Sequence, residues 1–297
     1  MKKMLSVIVM LAFVLCAVTA HAGHGDAKPV KKGILLVGFG TSEASAKVSF
    51  VNIEKKVAQA FPDVPIAWAY TSHIIRHKLA KQGEVILSPA QALAKMMDEG
   101  FTHVAVQSLH TIPGEEYQAL VQTVQGFKGM PDGFERLILG YPMLGAQDTV
   151  STAVDAILAT LPKDRKSNEA VVLMGHGTPH PANIYYSALN WQLQLKDPNI
   201  IMGTVEGYPG LDEVMAFLGK GNFKKVWLIP FMSVAGDHAK NDMAGDEDDS
   251  WKSRLEKKGF KCQAVLKGTA EYDEFAAIWI GQLKTAFGHL SAVNISR

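Results

Sequence analysis

The stretch VVLMGHGTPH, residues 171–180, leads from a continuous apolar segment directly into a histidine between two glycines. An apolar run of this kind is typical of a strand that is buried on both faces, as in parallel sheets. The glycines leave few side chains around His176. The stretch therefore predicts a buried parallel strand whose carboxyl end presents an imidazole to a ligand.

Two other interpretations of His176 are open at this point. The ring could be bonded to backbone on a tight turn, as many histidines are, or the turn could hold a phosphate. The segment GHGTPHP lacks the spacing and the lysine of a P-loop, and GFGTSEAS, residues 38–45, is not a dinucleotide fingerprint. Nucleotide binding is therefore disfavoured.

The same pattern occurs earlier in the chain, where ILLVGFGTS, residues 34–42, matches VVLMGHGTP. Outward from both stretches, apolar strands alternate with amphipathic helices. This order predicts an α/β fold of two similar domains, each a parallel sheet flanked by helices, with the active-site cleft between them. We place the N-terminal domain at residues 30–145 and the C-terminal domain at residues 146–297.

Polar side chains follow the strands of both halves. His176, Glu206 and His238 each come after an apolar strand of the second half, and the repeat aligns Glu116 of the first half close to His238. Because ligands of open parallel sheets bind beyond the carboxyl ends of the strands, we expect these groups to meet at the cleft. Two imidazoles and one carboxylate can hold divalent cobalt, iron, nickel or zinc and leave coordination positions free.

Each of these residues also has an ordinary interpretation. Glu206 could form a salt bridge or cap a helix, and Glu116 stands in the first turn of a helix, where the dipole favours acids. Asp237 and Asp242 could orient or supplement His238. The segment GDEDD, residues 245–249, is most simply a solvated acidic loop. Alternatively, its carboxylates could attract cations near a metal site.

The N-terminal residues have the pattern of a signal peptide. Lys2 and Lys3 precede an apolar run, and AHA at residues 20–22 has the form of a cleavage site, so we expect cleavage after Ala22 and export to a periplasm. A short membrane anchor is the alternative. About 275 residues then remain, with no later membrane-spanning run, and Cys262 is their only cysteine, which excludes an internal disulfide. The net charge of +1 offers no argument for a nucleic-acid partner.

Five segments together resemble one known family. They are VGFGTS, QSLHTIPGEEY, LMGHGTPH, VEGYP and VAGDHAKNDMAGDEDDSWK. They look like the motifs of the anaerobic-type sirohydrochlorin cobaltochelatases, class II chelatases related to ferrochelatase, and the resemblance runs from about residue 33 to near the C-terminus. The signal peptide departs from the family pattern, because these enzymes usually work in the cytoplasm.

The resemblance implies ATP-independent insertion of Co²⁺, with Fe²⁺ as a second candidate, into sirohydrochlorin, a step of cobalamin and tetrapyrrole biosynthesis. The family's catalytic histidines fall on His176 and His238, its glutamate falls on Glu116, and Glu206 joins the histidines as metal ligand. Arg76, His77 and Lys78 are candidates for binding the substrate's carboxylates, or form a solvated helix face.

A carrier without turnover is the alternative function. A periplasmic metal- or haem-binding protein could keep this fold, and four further histidines would suit a haem, namely His73, His77, His103 and His110. The sequence does not decide whether haem is bound or whether the chain forms a homo-oligomer. An exported hydrolase has little support, because no nucleophile elbow is present.

Overall fold

Two four-stranded sheets, each with all strands parallel, form the framework of the protein. We analysed a computed structural model, which describes residues 29–291. The predicted class, two parallel sheets flanked by helices, is confirmed. The predicted signal peptide lies outside the described residues. Within residues 29–291, every helix is too short or too polar to cross a membrane.

The first sheet has the order β2-β1-β3-β4. Its strands are β1 (Lys32–Gly38), β2 (Ile66–Tyr70), β3 (His103–Ser108) and β4 (Arg136–Gly140). The helices between and after them are α1 (Val48–Ala60), α2 (His73–Lys81), α3 (Pro89–Asp98), α4 (Glu115–Phe127) and α5 (Gln147–Thr160). β3 is buried along its whole length, as expected of a strand covered by helices on both faces.

The second sheet repeats this topology, with the order β6-β5-β7-β8. Its strands are β5 (Ala170–Gly175), β6 (Ile200–Thr204), β7 (Lys225–Pro230) and β8 (Lys261–Ala264). Its helices are α6 (Ile184–Lys196), α7 (Leu211–Lys220) and α8 (Trp251–Lys257), and α9 (Asp273–His289) ends the described chain. The matching strand orders support the internal repeat seen in the sequence.

Local sequence signals account for several helix ends. Ser88 caps α3: its hydroxyl accepts from the Gln91 N–H at 3.2 Å, while the Gln91 side chain accepts from the Ser88 N–H at 2.9 Å. Pro89 takes the first helical position, and Gly100, with a φ of +77°, follows the end of the helix. These residue types are the usual start and stop signals of a helix.

The last helix, α9, follows the second sheet in sequence but packs on the first. α9 packs against β3 and β4 of the first sheet and against α5. Trp279 of α9 is fully buried, and its indole N–H donates to the carbonyl oxygen of His110 at 3.3 Å. One apolar core contains residues of both sheets. The domain division at residues 145 and 146 stays a prediction, because the two sheets share packing.

Candidate active site

The neighbouring strands β5 and β6 end side by side at the carboxyl-terminal end of the second sheet. Gly175 is in register with Thr204, so the residues that follow them leave the sheet together. The Glu206 N–H donates to the carbonyl oxygen of His176 at 2.8 Å. The parallel register thus places a carboxylate next to the imidazole predicted from the sequence.

His238 completes a cluster of three possible metal ligands. One ligand atom from each of His176, Glu206 and His238 lies within 4.8 Å of the others. The two imidazole rings are perpendicular, with centroids 4.6 Å apart, and His176 Nδ1 is 3.8 Å from Glu206 Oε2. The side chains are 37%, 53% and 33% exposed for His176, Glu206 and His238, so an ion could enter from solvent. The structure therefore brings these three predicted residues together.

Hydrogen bonds occupy the same nitrogen on each ring. His176 Nδ1 lies 2.9 Å from the Gly177 carbonyl oxygen, and His238 Nδ1 lies 2.5 Å from Asp242 Oδ2. A neutral imidazole that donates from Nδ1 carries its lone pair on Nε2. Both rings can therefore offer Nε2 to an ion, with orientations held by a carbonyl and a carboxylate, as is usual for metal-binding histidines.

A π-helical turn at Ala239–Met243 explains the contact between His238 and Asp242. The sequence analysis predicted neither this turn nor α8. Such turns are rare and occur often at functional sites. Of the two aspartates expected to orient His238, Asp242 does so, whereas Asp237 accepts from the Asn241 side chain at 2.9 Å.

Gly177 has a packing role that the sequence did not reveal. Its φ is +79°, and a Cβ added there would lie 2.6 Å from the backbone nitrogen of Gly207. Glycine therefore lets the loop that carries Glu206 approach the loop that carries His176. Asn183, which the sequence analysis missed, joins both loops: its side chain accepts from the Thr178 N–H and donates to the Tyr208 carbonyl oxygen.

Residues of the first half lie close to the cluster. Phe39, which the repeat aligns with His176, has its ring centroid 6.1 Å from that imidazole. Glu43 binds Lys240 across the cleft, with Oε2 and Nζ 2.7 Å apart, and this contact lowers the pKa of Glu43. Glu116 is half-buried in the first turn of α4 and is not one of the three clustered ligands. Its catalytic role stays a prediction.

Comparison with known proteins identifies the family. The family model described as cobalt chelatase (CbiK) matches residues 32–288.

This chain belongs to the CbiK cobalt chelatase family.

Relatives and solved structures agree with this assignment. The sirohydrochlorin cobaltochelatase CbiKC of Nitratidesulfovibrio vulgaris is 45% identical over 260 residues, which cover 88% of this chain and 92% of the relative. The sirohydrochlorin cobaltochelatase of Salmonella typhimurium is 36% identical over 259 residues, covering 86% and 97%. The structure of SirB from Bacillus subtilis with Fe³⁺ superposes with a TM-score of 0.57 at 15% identity, covering 88% of this chain and 97% of SirB. The last comparison supports the fold alone.

Two of the histidines considered for haem have internal partners in this CbiK chelatase. His103 Nδ1 lies 2.9 Å from the Thr102 hydroxyl. His110 lies between the hydroxyls of Ser108, 2.8 Å from Nδ1, and Thr71, 3.3 Å from Nε2. Burial lowers the pKa of His110 to about 4, so this ring is neutral at physiological pH. The bonds of His110 occupy both ring nitrogens, one of which a haem iron would need, whereas the bond of His103 occupies Nδ1 alone.

The other predicted candidates lie at the surface. His77 and Lys78 are exposed on α2, while Arg76 is half-buried and its Nε has no hydrogen-bond partner within residues 29–291. In the acidic loop, Asp246 pairs with Lys252 at 2.8 Å and Asp248 with Lys257 at 2.7 Å. These exposed ion pairs agree with the simpler interpretation, a solvated loop.

Proposed function

We propose that this CbiK-family protein inserts cobalt(II) into sirohydrochlorin without ATP. The observation that carries the proposal is the cluster of His176, Glu206 and His238, with ligand atoms within 4.8 Å of one another. Two relatives that match most of the chain are sirohydrochlorin cobaltochelatases. The protein is accordingly an enzyme of the metal chelatase class.

The three ligands suit an ion that must be held and then released. Imidazole and carboxylate bind cobalt(II), whereas thiolates prefer softer ions. A set of three protein ligands also leaves coordination positions for the nitrogens of the macrocycle. In the reaction the ion enters the macrocycle and the two pyrrole nitrogens lose their protons. The imidazoles, freed as the ion leaves, accept these protons as general bases.

Glu116 has a different part in the proposal. It projects from the start of α4 in the first half, the half opposite the three ligands. We assign it to assist proton removal from the face of the macrocycle opposite the ion. A charged carboxylate at this place would also attract the protons and so favour their departure.

The substrate's carboxylates require cationic partners. Arg76 and Lys78 of α2 are the candidates, and Arg76 forms no ion pair within the described part of the chain. Lys78 lies close enough to Glu43 to lower the pKa of that carboxyl, so it stands near the cleft-spanning contact with Lys240. This placement supports a role for both cations in binding the tetrapyrrole.

The proposal also covers export of the protein and the choice of metal. The pattern of residues 1–22 supports a cleaved signal peptide and a periplasmic enzyme. Iron(II) is proposed as a second ion, because the same donor types accept it.

The test is anaerobic mixing of the purified protein with sirohydrochlorin and Co(II), followed by absorbance. We expect metallation faster than the reaction without protein, and loss of that acceleration in His176→Ala. His289→Ala, which alters an exposed histidine at the end of α9, serves as the control and keeps the wild-type rate. Wild-type protein that binds Co(II) without accelerating metallation would favour the carrier alternative.

A further inference from the structure

A pair of histidines on α2 lies outside the cluster described above. His73 and His77 are four residues apart, so they occupy one face of the helix. Their rings are perpendicular, with centroids 6.1 Å apart. Two imidazoles at this helical spacing can bind one transition-metal ion from the same side, as they do in helical zinc sites.

Both rings are free to bind. The two side chains are exposed, and within residues 29–291 neither forms a hydrogen bond or an ion pair. Their only ring contact in this part of the chain is with each other. The helix itself is well anchored, because the Ser72 hydroxyl accepts from the Ile75 N–H and Leu79 is fully buried. The ligands therefore project from a rigid element, which reduces the ordering that binding requires.

The pair is linked to the three clustered ligands through the loop after β1. The backbone just before α2 bonds to the loop after β1: the Ser72 N–H donates to the carbonyl oxygen of Phe39 at 3.2 Å. The Phe39 ring is in turn 6.1 Å from His176. An ion held by α2 would thus be at the same edge of the first sheet that faces the three clustered ligands.

We propose that His73 and His77 form a second, exchangeable site for a divalent transition metal, cobalt(II) in particular. Only two ligands come from the protein, so water completes the coordination of the ion. The positive charges of neighbouring Arg76 and Lys78 repel a dication. The ion is therefore held weakly and leaves readily. Magnesium and calcium, which require oxygen ligands, are excluded from such a site. The site would hold the metal at the entrance to the cleft.

The test is calorimetric titration with Co(II) in excess Mg(II), without tetrapyrrole, so that its result does not depend on chelatase activity. The starting protein is the His176→Ala/His238→Ala variant, in which the cluster has lost both imidazoles. We expect it to bind Co(II), and expect one equivalent fewer after His73→Gln and His77→Gln are added. Adding His289→Gln instead is the matched control and should change nothing.

The comparison is made between proteins that share every other histidine, including those near the N-terminus. Equal Co(II) stoichiometry with and without His73 and His77 would overturn the proposal. Restoring His73 alone should recover little of the lost binding, because a single exposed imidazole lacks the second ligand. Full recovery with one histidine would also contradict the two-ligand site.

Discussion

Asp242 lies outside the proposed set of metal ligands but contacts one of its histidines. Its carboxylate oxygen Oδ2 lies 2.5 Å from His238 Nδ1, so it holds the orientation of the ring and leaves the lone pair on Nε2. We expect Asp242→Asn to weaken Co(II) binding by roughly 10- to 100-fold, the range found for partners of metal-bound histidines. Titration of the purified variant measures this effect.

Asp237→Asn is the matched control for that prediction. Asp237 stands in the same segment, one residue before His238, but its carboxylate bonds to Asn241. This variant should bind Co(II) nearly as wild type does. If the two variants lose affinity equally, the effect is one of local charge, and the orienting role of Asp242 is wrong.

Gly177 is a position where backbone conformation and packing act together. With a φ of +79° and the Gly207 backbone 2.6 Å from an added Cβ, Gly177→Ala should lower the free energy of unfolding by about 2–4 kcal/mol. Gly83, with a φ of +86° and open space around it, isolates the conformational part, so Gly83→Ala should cost only about 1 kcal/mol. Urea denaturation measures the free energy of unfolding of both variants. Equal losses of stability would show that the loop around Gly207 moves aside at little cost.

At the scale of elements, His110 joins the ends of two strands and a helix. Its ring contacts Thr71 after β2 and Ser108 at the end of β3, and its carbonyl oxygen accepts from Trp279 of α9. The pKa of this ring is about 4 in the folded protein, whereas an unfolded histidine has a pKa of about 6.5. The junction is therefore built around a neutral imidazole.

This difference predicts a pH dependence with a definite sign. Between pH 6.5 and 4 the unfolded chain binds the proton and the folded chain does not, so stability falls as pH decreases through this range. The contribution at pH 5 relative to pH 7 should be about 1–2 kcal/mol. His110→Gln removes the titrating group, so its unfolding free energy should fall less from pH 7 to pH 5 than that of wild type. Equal falls would contradict a buried neutral His110.

At the scale of the whole molecule, α9 connects the two sheets. It follows β8 of the second sheet but packs on β3 and β4 of the first, with Trp279 fully buried. We therefore expect the chain to unfold in one cooperative transition, with calorimetric and van't Hoff enthalpies in agreement. Two separate transitions would show that the halves are energetically independent.

The variant Trp279→Phe tests the same connection. It removes the indole donor to the His110 carbonyl oxygen and part of a fully buried side chain, and should destabilise the protein by about 1–3 kcal/mol. In scanning calorimetry the whole transition should move to lower temperature as one peak. The exposed Trp191→Phe is the control, and it should leave the peak in place.

The fold class was readable from sequence because its signals are local. Continuous apolar runs ending in glycine predicted β1 and β5, and Ser88, Pro89 and Gly100 mark the ends of α3. Such patterns arise from burial and capping within a few residues. The π-helical turn Ala239–Met243 was missed, since its polar residues have no comparable periodicity.

By itself, the sequence determined the alternation of strands and helices, the internal repeat, the family resemblance and the identity of the three candidate ligands. Only the tertiary structure decided that His176, Glu206 and His238 meet, that Asp242 rather than Asp237 orients the ring, and that α9 crosses to the first sheet. The physical reason is distance along the chain. Side-chain type and periodicity are set within a few residues, whereas these contacts depend on strand register and core packing between segments far apart in sequence.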